Sequence, residues 1–157
     1  MIVAAQDADF AIFAEGGRVG GRRLADGGIA PESIMQMLRG LASKIRPACD
    51  PAAWWMVEDD EIVGLCSITA GPGENATIDI GYGVAEVCRG RGVATRAICE
   101  VLTWAAGRPD IDAVTAETSV DNPASQRVLE RNGFVRVGTR IDVEDGDLIC
   151  WRATTMT

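Results

Sequence analysis

Residues 88–94 read CRGRGVA, two arginines and two glycines closed by a small apolar pair. The stretch lies between two predicted elements. The first is a glycine-marked strand, ATIDIGYGVAE at residues 76–86, and the second is an amphipathic helix, GVATRAICEVLTWAAG at residues 92–107. This order places the arginines and glycines at the start of a helix. The ligand that such a turn would bind is therefore the first question that the sequence raises.

At a helix start, the first backbone N–H groups lack intrahelical partners, and the helix dipole adds a partial positive charge. Gly90 and Gly92 carry no side chain, so a ligand can approach this backbone closely. Arg89 and Arg91 add mobile positive charge. The combination predicts a phosphate cradle that would suit a pyrophosphate.

Two other interpretations explain less of the stretch. A dinucleotide-binding fingerprint requires three glycines in the order GxGxxG, and Thr95 stands where the third would be. An ordinary turn would explain the glycines. It would not explain why arginines are grouped at a helix start in a chain whose net charge is −8.

The composition is that of an ordinary globular protein and excludes several functions. A length of 157 residues suits one domain, predicted to span residues 1–157. No apolar run is long enough to cross a membrane, and the N-terminus lacks the layout of a signal peptide, so a cytoplasmic location without a membrane partner is expected. The net charge of −8 argues against nucleic acid as a partner and is compatible with a cationic acceptor such as an amine.

The missing residue types narrow the chemistry further. The chain has no histidine, which removes Ser-His-Asp and Cys-His catalysis and the usual zinc or iron sites. Its five cysteines form no CxxC pair, so no metal is expected. The only lysine, Lys44, has no Gly-rich loop before it, which excludes a Walker A phosphate loop.

The order of predicted elements indicates an α/β domain with a mixed sheet. A helix at residues 31–45 and a hairpin at residues 52–71 precede the central strand and helix, and a further strand, helix and hairpin close the chain. The acidic turn of the first hairpin, residues 58–61, is expected to be solvated. The glycine-rich residues 15–31 are expected to form a loop, either mobile beside a substrate entrance or a plain surface connection.

Two motifs resemble a known family. RGRGVA, at residues 89–94, is similar to the R/Q-x-x-G-x-G/A motif of the GNAT superfamily of acetyl-CoA-dependent N-acyltransferases. DNPASQRVLERNGF, at residues 121–134, resembles the N-x-x-S-x-x-x-L-E-x-x-G-F segment of the RimJ/RimL-like branch. The resemblance covers residues 54–153, whereas residues 1–50 match poorly.

The resemblance implies a central mixed, mostly antiparallel sheet whose middle strands splay apart, with helices on both sides. Acetyl-CoA would lie in the splay as cosubstrate, with its pyrophosphate on the loop at residues 89–94. A backbone N–H near Val84 would steady the developing oxyanion. Gly81 and Gly83 suit a bulge in the splayed strand. The implied cofactor-binding residues are Val84, Arg89, Gly90, Arg91, Gly92, Val93, Ala94, Asn122 and Ser125.

The two motifs define the catalytic residues less narrowly than the cofactor-binding residues. An alkyl amine has a pKa of about 10 and must lose a proton to attack the thioester, so a base is needed. With no histidine, Asp79 and Glu117 are the two candidates. Many relatives protonate the leaving thiolate with a tyrosine, but Leu129 stands at that position. The resemblance therefore implies Ser125 as the acid, while Tyr82, the only tyrosine, is expected to serve packing.

The sequence therefore predicts an N-acetyltransferase that transfers an acetyl group to a primary amine by direct attack in a ternary complex. The acceptor would be a protein N-terminus or a small-molecule amine, and a homodimer is one expected assembly because dimers are common among relatives. One alternative is a catalytically silent module of the same fold that binds acyl-CoA as a sensor or partner domain. Another is a nucleotide-binding protein of unrelated fold.

Overall fold

A computed structural model describes residues 1–155, whose strands form one sheet with helices on both of its faces. The elements in chain order are β1 (Ile2–Ala4), α1 (Asp7–Ala14), β2 (Arg18–Val19), β3 (Arg22–Leu24), α2 (Glu32–Ile45), β4 (Ala53–Glu58), β5 (Glu61–Ala70), β6 (Thr77–Val84), α3 (Val93–Ala106), β7 (Ala113–Ser119), α4 (Pro123–Arg131), β8 (Val135–Asp142) and β9 (Gly146–Thr154). A single 3₁₀ turn, Glu86–Cys88, connects β6 to the loop before α3. No helix within the described residues has both the length and the apolar character that crossing a membrane requires.

The sheet is mixed and mostly antiparallel. Its strands lie in the order β1-β4-β5-β6-β7-β9-β8, with β3 added beside β5 and β2 paired to β3. The pairs β6–β7 and β3–β5 are parallel, and the other neighbouring pairs are antiparallel. The predicted fold class is confirmed.

Two hydrophobic clusters, one on each side of the sheet, hold the helices. We call the side that carries α3 and α4 the α3 face, and the side that carries α1 and α2 the α2 face. Adjacent residues of a strand point to opposite faces. Trp54 accordingly packs into the α3 face, 4.8 Å from Trp104 between ring centroids, whereas Trp55 packs into the α2 face, 4.9 Å from Phe10. Both neighbouring indoles are buried, so β4 is a central strand of the core.

Local sequence determines where α3 and α4 begin. Gly92, with φ of 74°, is the N-cap of α3, and Gly107 is its C-cap. Asn122 caps α4 through its side chain, which accepts a hydrogen bond from the Ser125 backbone N–H at 3.1 Å, and Pro123 occupies the first turn. Both helices therefore start where the two motifs are, as the sequence predicts.

The N-terminal third contains more structure than the sequence predicts. The composition of residues 15–31 predicts a loop, but these residues contain the hairpin of β2 and β3, and β3 extends the sheet beside β5. Gly20 and Gly21 both have positive φ, 58° and 80°, which is the geometry of a tight hairpin turn. The glycines thus permit a turn between two very short strands.

The predicted bulge lies on the other strand of its pair. Gly81 and Gly83 pair in register with Ser67 and Leu65, and the irregularity falls in β5 between Ile68 and Ala70. The added residue is Thr69, and a Cβ on Gly81 would lie 3.5 Å from its side-chain methyl, an ordinary van der Waals contact. The bulge is therefore in β5 and does not require glycine at position 81.

Candidate active site

The central strands β6 and β7 separate part of the way along the sheet. Their parallel pairing joins Thr77–Ile80 to Ala113–Ala116 and ends there. Beyond that point β6 continues through Gly81–Val84 and β7 through Glu117–Ser119, each paired only on its outer side among the described residues. This is the splay that the resemblance implies, and we call it the split.

A cavity of about 530 Å³ lies on the α3 face beside the split. It is bounded by the end of β6, the loop before α3, the first turn of α3 and one side of α4. Its lining residues are Tyr82, Gly83, Val84, Cys88, Arg89, Gly90, Gly92, Val93, Ala94, Thr95, Asn122, Ala124, Ser125, Arg127, Val128 and Arg131. Every residue predicted to bind the cofactor is among them except Arg91.

The glycines of the loop bring backbone to the cavity wall. Gly90 and Gly92 have φ of 80° and 74°, in the left-handed region that other residues rarely adopt. A Cβ on Gly92 would also lie 3.0 Å from an Nη atom of Arg96. The α3 N-terminus, with its unpaired N–H groups, therefore meets the cavity without an intervening side chain.

Arg91 turns away from the cavity because an acid from the first hairpin holds it. Its guanidinium lies 3.4 Å from the Glu58 carboxylate and donates to the Val87 carbonyl at 3.4 Å. Arg96 contacts the other Glu58 oxygen at 2.9 Å and donates to the Arg91 carbonyl at 2.9 Å. Glu58, expected to be solvated, is only 20% exposed. Arg91 is thus absent from the lining of the cavity, and its contact with the cofactor stays a prediction.

The cavity is cationic although the protein as a whole is acidic. Three arginines line it, Arg89, Arg127 and Arg131, and its lining residues include no aspartate or glutamate. Arg89 is steadied by a hydrogen bond from its Nε to the Val84 carbonyl at 3.2 Å. The two α4 arginines were missed in the sequence, although their four-residue spacing places them on one face of a helix. The cavity is thus suited to a ligand with several negative charges.

Two hydroxyls meet where the cavity reaches the split. The Tyr82 and Ser125 hydroxyl oxygens are 2.7 Å apart, a distance at which either can donate to the other. The Tyr82 hydroxyl also donates to the Ser125 carbonyl at 3.3 Å. Burial raises the pKa of Tyr82 to about 12, so its hydroxyl stays protonated at neutral pH. Tyr82, expected only to pack, shares a site with Ser125.

Asp79 lies on the α2 face, next to the split. Its two carboxylate oxygens each accept a hydrogen bond from a threonine hydroxyl, from Thr69 at 2.5 Å and from Thr115 at 2.6 Å. Among residues 1–155, Asp79 forms no ion pair. Neutral donors therefore fix the orientation of this carboxylate and leave its charge uncompensated.

Glu117 lies on the same face but is neutralised. Both of its oxygens are bound by the Arg140 guanidinium, which also lies 3.4 Å from Asp142. These bonds from Arg140 hold the pKa of the Glu117 carboxyl below its ordinary value. Burial raises the pKa of the nearby Cys150 thiol, and the charges of Glu117 and Asp79 raise it further. Asp79 and Glu117 thus lie on the same face of the sheet, but threonine hydroxyls bind the first and an arginine binds the second.

Comparison with protein families gives a match over most of the chain. The model of a family described as an acetyltransferase (GNAT) domain matches residues 7–135. The matched range takes in much of the N-terminal part, where the two motifs alone indicate little similarity. The α1 and α2 helices therefore fall within the matched domain together with the split and the cavity.

Similarity to curated proteins is confined to part of their length. The chain is 34% identical over 85 residues to an uncharacterized N-acetyltransferase of Bacillus subtilis, YjdG, a match that covers 53% of this chain and 51% of that protein. It is 31% identical over 81 residues to the ribosomal-protein-serine acetyltransferase of Escherichia coli, covering 52% and 45% respectively. The match thus spans about half the length of these curated relatives.

The fold is also that of a solved acetyltransferase. The RimL ribosomal α-N-protein acetyltransferase, solved in complex with coenzyme A, aligns with a TM-score of 0.71 over 98% of this chain and 92% of that chain. The two sequences are 21% identical, so the likeness concerns the fold.

Proposed function

Because the chain belongs to the GNAT acetyltransferase family, we propose that it transfers the acetyl group of acetyl-CoA to a primary amine by direct attack in a ternary complex. One observation carries the proposal. A cationic cavity without acidic lining residues opens at the split of the sheet, and two carboxylates lie near that split on the opposite face. A polyanionic cosubstrate and a cationic acceptor would therefore meet from opposite sides.

The cavity fits the cosubstrate in charge and in shape. The backbone of the loop at residues 89–94 and the Arg89 guanidinium would take the pyrophosphate, because N–H groups at a helix start favour phosphate oxygens. Gly92, with φ of 74°, permits the turn that brings these N–H groups to the cavity wall. The pantetheine arm would follow β6 toward Val84, whose backbone N–H would donate to the oxygen of the attacked carbonyl.

We assign the base to Asp79 and not to Glu117. The attacking nitrogen forms a bond to the acetyl carbon, the carbon–sulfur bond breaks, and the ammonium proton must be accepted by a base. A carboxylate bound at both oxygens by a guanidinium is a weak proton acceptor, and this is the state of Glu117. Asp79 has neutral partners. Because it lies five residues from Val84 along β6, about 16 Å at the usual rise of a strand, it would accept the proton through a chain of water molecules.

The leaving thiolate would receive its proton from the hydroxyl pair of Ser125 and Tyr82. The two hydroxyls line the end of the cavity next to the split, and at 2.7 Å the one that gives its proton to the thiolate can take a proton from the other. The pair then regains the missing proton from solvent. Tyr82 would thereby contribute to protonating the thiolate, the role that a tyrosine at the position of Leu129 has in many relatives. Asn122 would serve both as the cap of α4 and as a cofactor contact.

The acceptor is proposed as an amine that is cationic in solution, either a protein N-terminus or a small-molecule amine. The name of the E. coli relative, a ribosomal-protein-serine acetyltransferase, supports a protein acceptor for this chain. The uncompensated charge of Asp79 is compatible with any ammonium group as the acceptor, because a carboxylate beside the split raises the local concentration of cations.

One observation also favours a second candidate, a silent acyl-CoA-binding module. Arg140 neutralises Glu117, and Leu129 replaces the tyrosine that many relatives use, which removes two groups often associated with turnover. Such a module would bind acetyl-CoA without consuming it.

The experiment that separates the two candidates is a thiol-release assay with acetyl-CoA against a panel of N-terminal peptides, polyamines and amino acids. We expect coenzyme A release that depends on at least one acceptor, with the acetylated amine identified by mass spectrometry. Acetyl-CoA binding by calorimetry with no turnover on any acceptor would favour the silent module. Absence of both binding and turnover would overturn both candidates.

A further inference from the structure

Arg127 and Arg131 form a pair of cations at the cavity that the pyrophosphate cradle does not use. They lie four residues apart on α4, hence on one side of the helix, and both line the cavity. The cradle itself is built by α3 and the loop before it. The α4 pair therefore faces the cavity from a different element.

The neighbouring arginines already have partners. Arg91 and Arg96 bind Glu58, and Arg89 donates to the Val84 carbonyl. Arg136, which follows α4, lies 3.7 Å from Glu130. Within the described residues, by contrast, Arg127 and Arg131 take part in no ion pair.

Two like charges one helical turn apart repel each other and do not help the helix to form. The protein carries a net charge of −8, so acidic partners are abundant on its surface, and yet none lines this cavity. A pair of uncompensated guanidiniums in such a place is the arrangement expected of a site for a dianion, because each guanidinium can donate two parallel hydrogen bonds to phosphate oxygens.

We propose that Arg127 and Arg131 bind the 3′-phosphate of the coenzyme A ribose and so select phosphorylated coenzyme A over its 3′-dephospho form. This inference rests on the proposed function, because it takes acetyl-CoA as the cosubstrate. A terminal phosphate monoester carries between one and two negative charges at neutral pH and presents three acceptor oxygens, more than either group of a pyrophosphate diester. The pyrophosphate would occupy the α3 cradle and the monoester the α4 pair.

Calorimetric titration with coenzyme A and with 3′-dephospho-coenzyme A tests the proposal without any measurement of turnover. The wild-type protein should bind coenzyme A about 10- to 100-fold more tightly, the range expected for charge-assisted hydrogen bonds. The Arg127→Gln/Arg131→Gln variant should bind the two ligands about equally. Its affinity for the dephospho form should match that of the wild type, which also shows that the variant is folded.

Two further proteins sharpen the test. Arg39→Gln/Lys44→Gln removes two positive charges from α2, which lies on the opposite face of the sheet, and should keep the full preference for coenzyme A. Arg127→Lys/Arg131→Lys should keep part of the preference, since lysine retains the charge without the bidentate geometry. Equal affinity of the wild type for both ligands, or an undiminished preference in the glutamine variant, would overturn the proposal while leaving the proposed function intact. Failure of the wild type to bind either ligand would overturn both.

Discussion

The two sides of the split differ in charge and in how they are built. On the α3 face, three arginines and backbone N–H groups line a cavity without acidic residues, and the loop and helix start proposed to hold the pyrophosphate are contiguous in the chain. On the α2 face, Asp79 and Glu117 come from two strands, and their partners come from three more positions in the sheet. The difference indicates that the two proposed substrates, of opposite charge, are bound by independent parts of the fold.

The same comparison separates rigid from adjustable recognition. We call the α3 face the cofactor side, because acetyl-CoA is proposed to bind there. It relies on the backbone conformation of two glycines and on a helix start, and a single added side chain can block either. We call the α2 face the acceptor side, because the amine is proposed to bind there. It relies on contacts between side chains: Arg140 neutralises Glu117, and two threonine hydroxyls hold Asp79. Substitutions on the first side should therefore change affinity for acetyl-CoA, whereas those on the second should change turnover.

The largest effect is expected from Gly92→Glu. A side chain there would be strained at a φ of 74°, would crowd Arg96 and would add a negative charge at the N-cap of α3. We expect acetyl-CoA affinity to fall by more than about 100-fold, measured by calorimetry. Gly40→Glu, at an open position on α2, is the matched control and should bind normally. If Gly92→Glu binds acetyl-CoA as tightly as the wild type, the pyrophosphate does not bind at this loop.

Asp79→Asn should have the next largest effect. Loss of the proposed base should lower kcat by about 100-fold or more while leaving the affinity for acetyl-CoA unchanged. Glu117→Gln is the comparison variant, because it removes a carboxylate from the same face, and its kcat should fall by less than about 10-fold. The measurement is steady-state kinetics with the best acceptor of the panel. A larger loss in Glu117→Gln than in Asp79→Asn would reverse the assignment of the base.

Glu58→Gln should have a moderate effect, on the cofactor side only. Without its charge, Arg91 and Arg96 lose their shared partner and the loop backbone that Arg96 supports becomes less well fixed. The KM for acetyl-CoA should rise by about 3- to 10-fold, with kcat unchanged. Glu61→Gln, which removes an acid of the same turn that pairs with Arg23, is the control. A fall in kcat with an unchanged KM would contradict this role for Glu58.

Arg140→Gln should have the smallest effect, a pH-dependent change in stability. Since the pKa of Glu117 in the folded protein lies below its ordinary value of 4.5, the pair stabilises the fold above that pH and stops doing so as the pH falls through the lowered pKa. Urea unfolding should show Arg140→Gln less stable than the wild type at neutral pH, and the difference should be smaller at an acidic pH below 4.5. The pKa of Asp142 is also lowered, mainly by hydrogen bonds from the backbone N–H groups of Asp145 and Glu144. Asp142 therefore also stabilises the fold less as the pH falls.

The control for this experiment is Arg18→Gln. Its guanidinium donates to the Gly21 carbonyl, which does not titrate, so any stability difference should be the same at both pH values. A difference for Arg140→Gln that also stays constant with pH would mean that Glu117 is not the partner responsible.

Sequence alone predicts the glycine loop and the starts of α3 and α4 well because their determinants are local. The glycines at 90 and 92, the cap at Asn122 and the helix starts lie within a few residues of the groups that they position. Sequence could not show that Arg91 faces outward, since its partner Glu58 is 33 residues away. Nor could it show that Tyr82 meets Ser125 across 43 residues, a contact that depends on where α4 packs against the end of β6.

The acceptor side depends on strand register, which the sequence does not specify. Arg140 reaches Glu117 because an irregularity between Arg136 and Gly138 adds one residue to β8 relative to β9. If the same sequence paired without that irregularity, the register of β8 beyond Arg136 would shift by one residue, and Arg140 would lie on the α3 face. A single unpaired position thus determines which of the two carboxylates is neutralised.

The neighbouring indoles of β4 give the protein two separate optical probes. Trp54, Trp104 and Trp151 all belong to the cluster on the α3 face, and Trp55 alone belongs to the cluster on the α2 face. Intrinsic fluorescence of Trp55→Phe would consequently follow the α3 layer by itself, and subtraction from the wild-type signal would isolate the α2 layer. Chemical denaturation followed in this way would reveal whether the two layers melt as one cooperative unit or in succession.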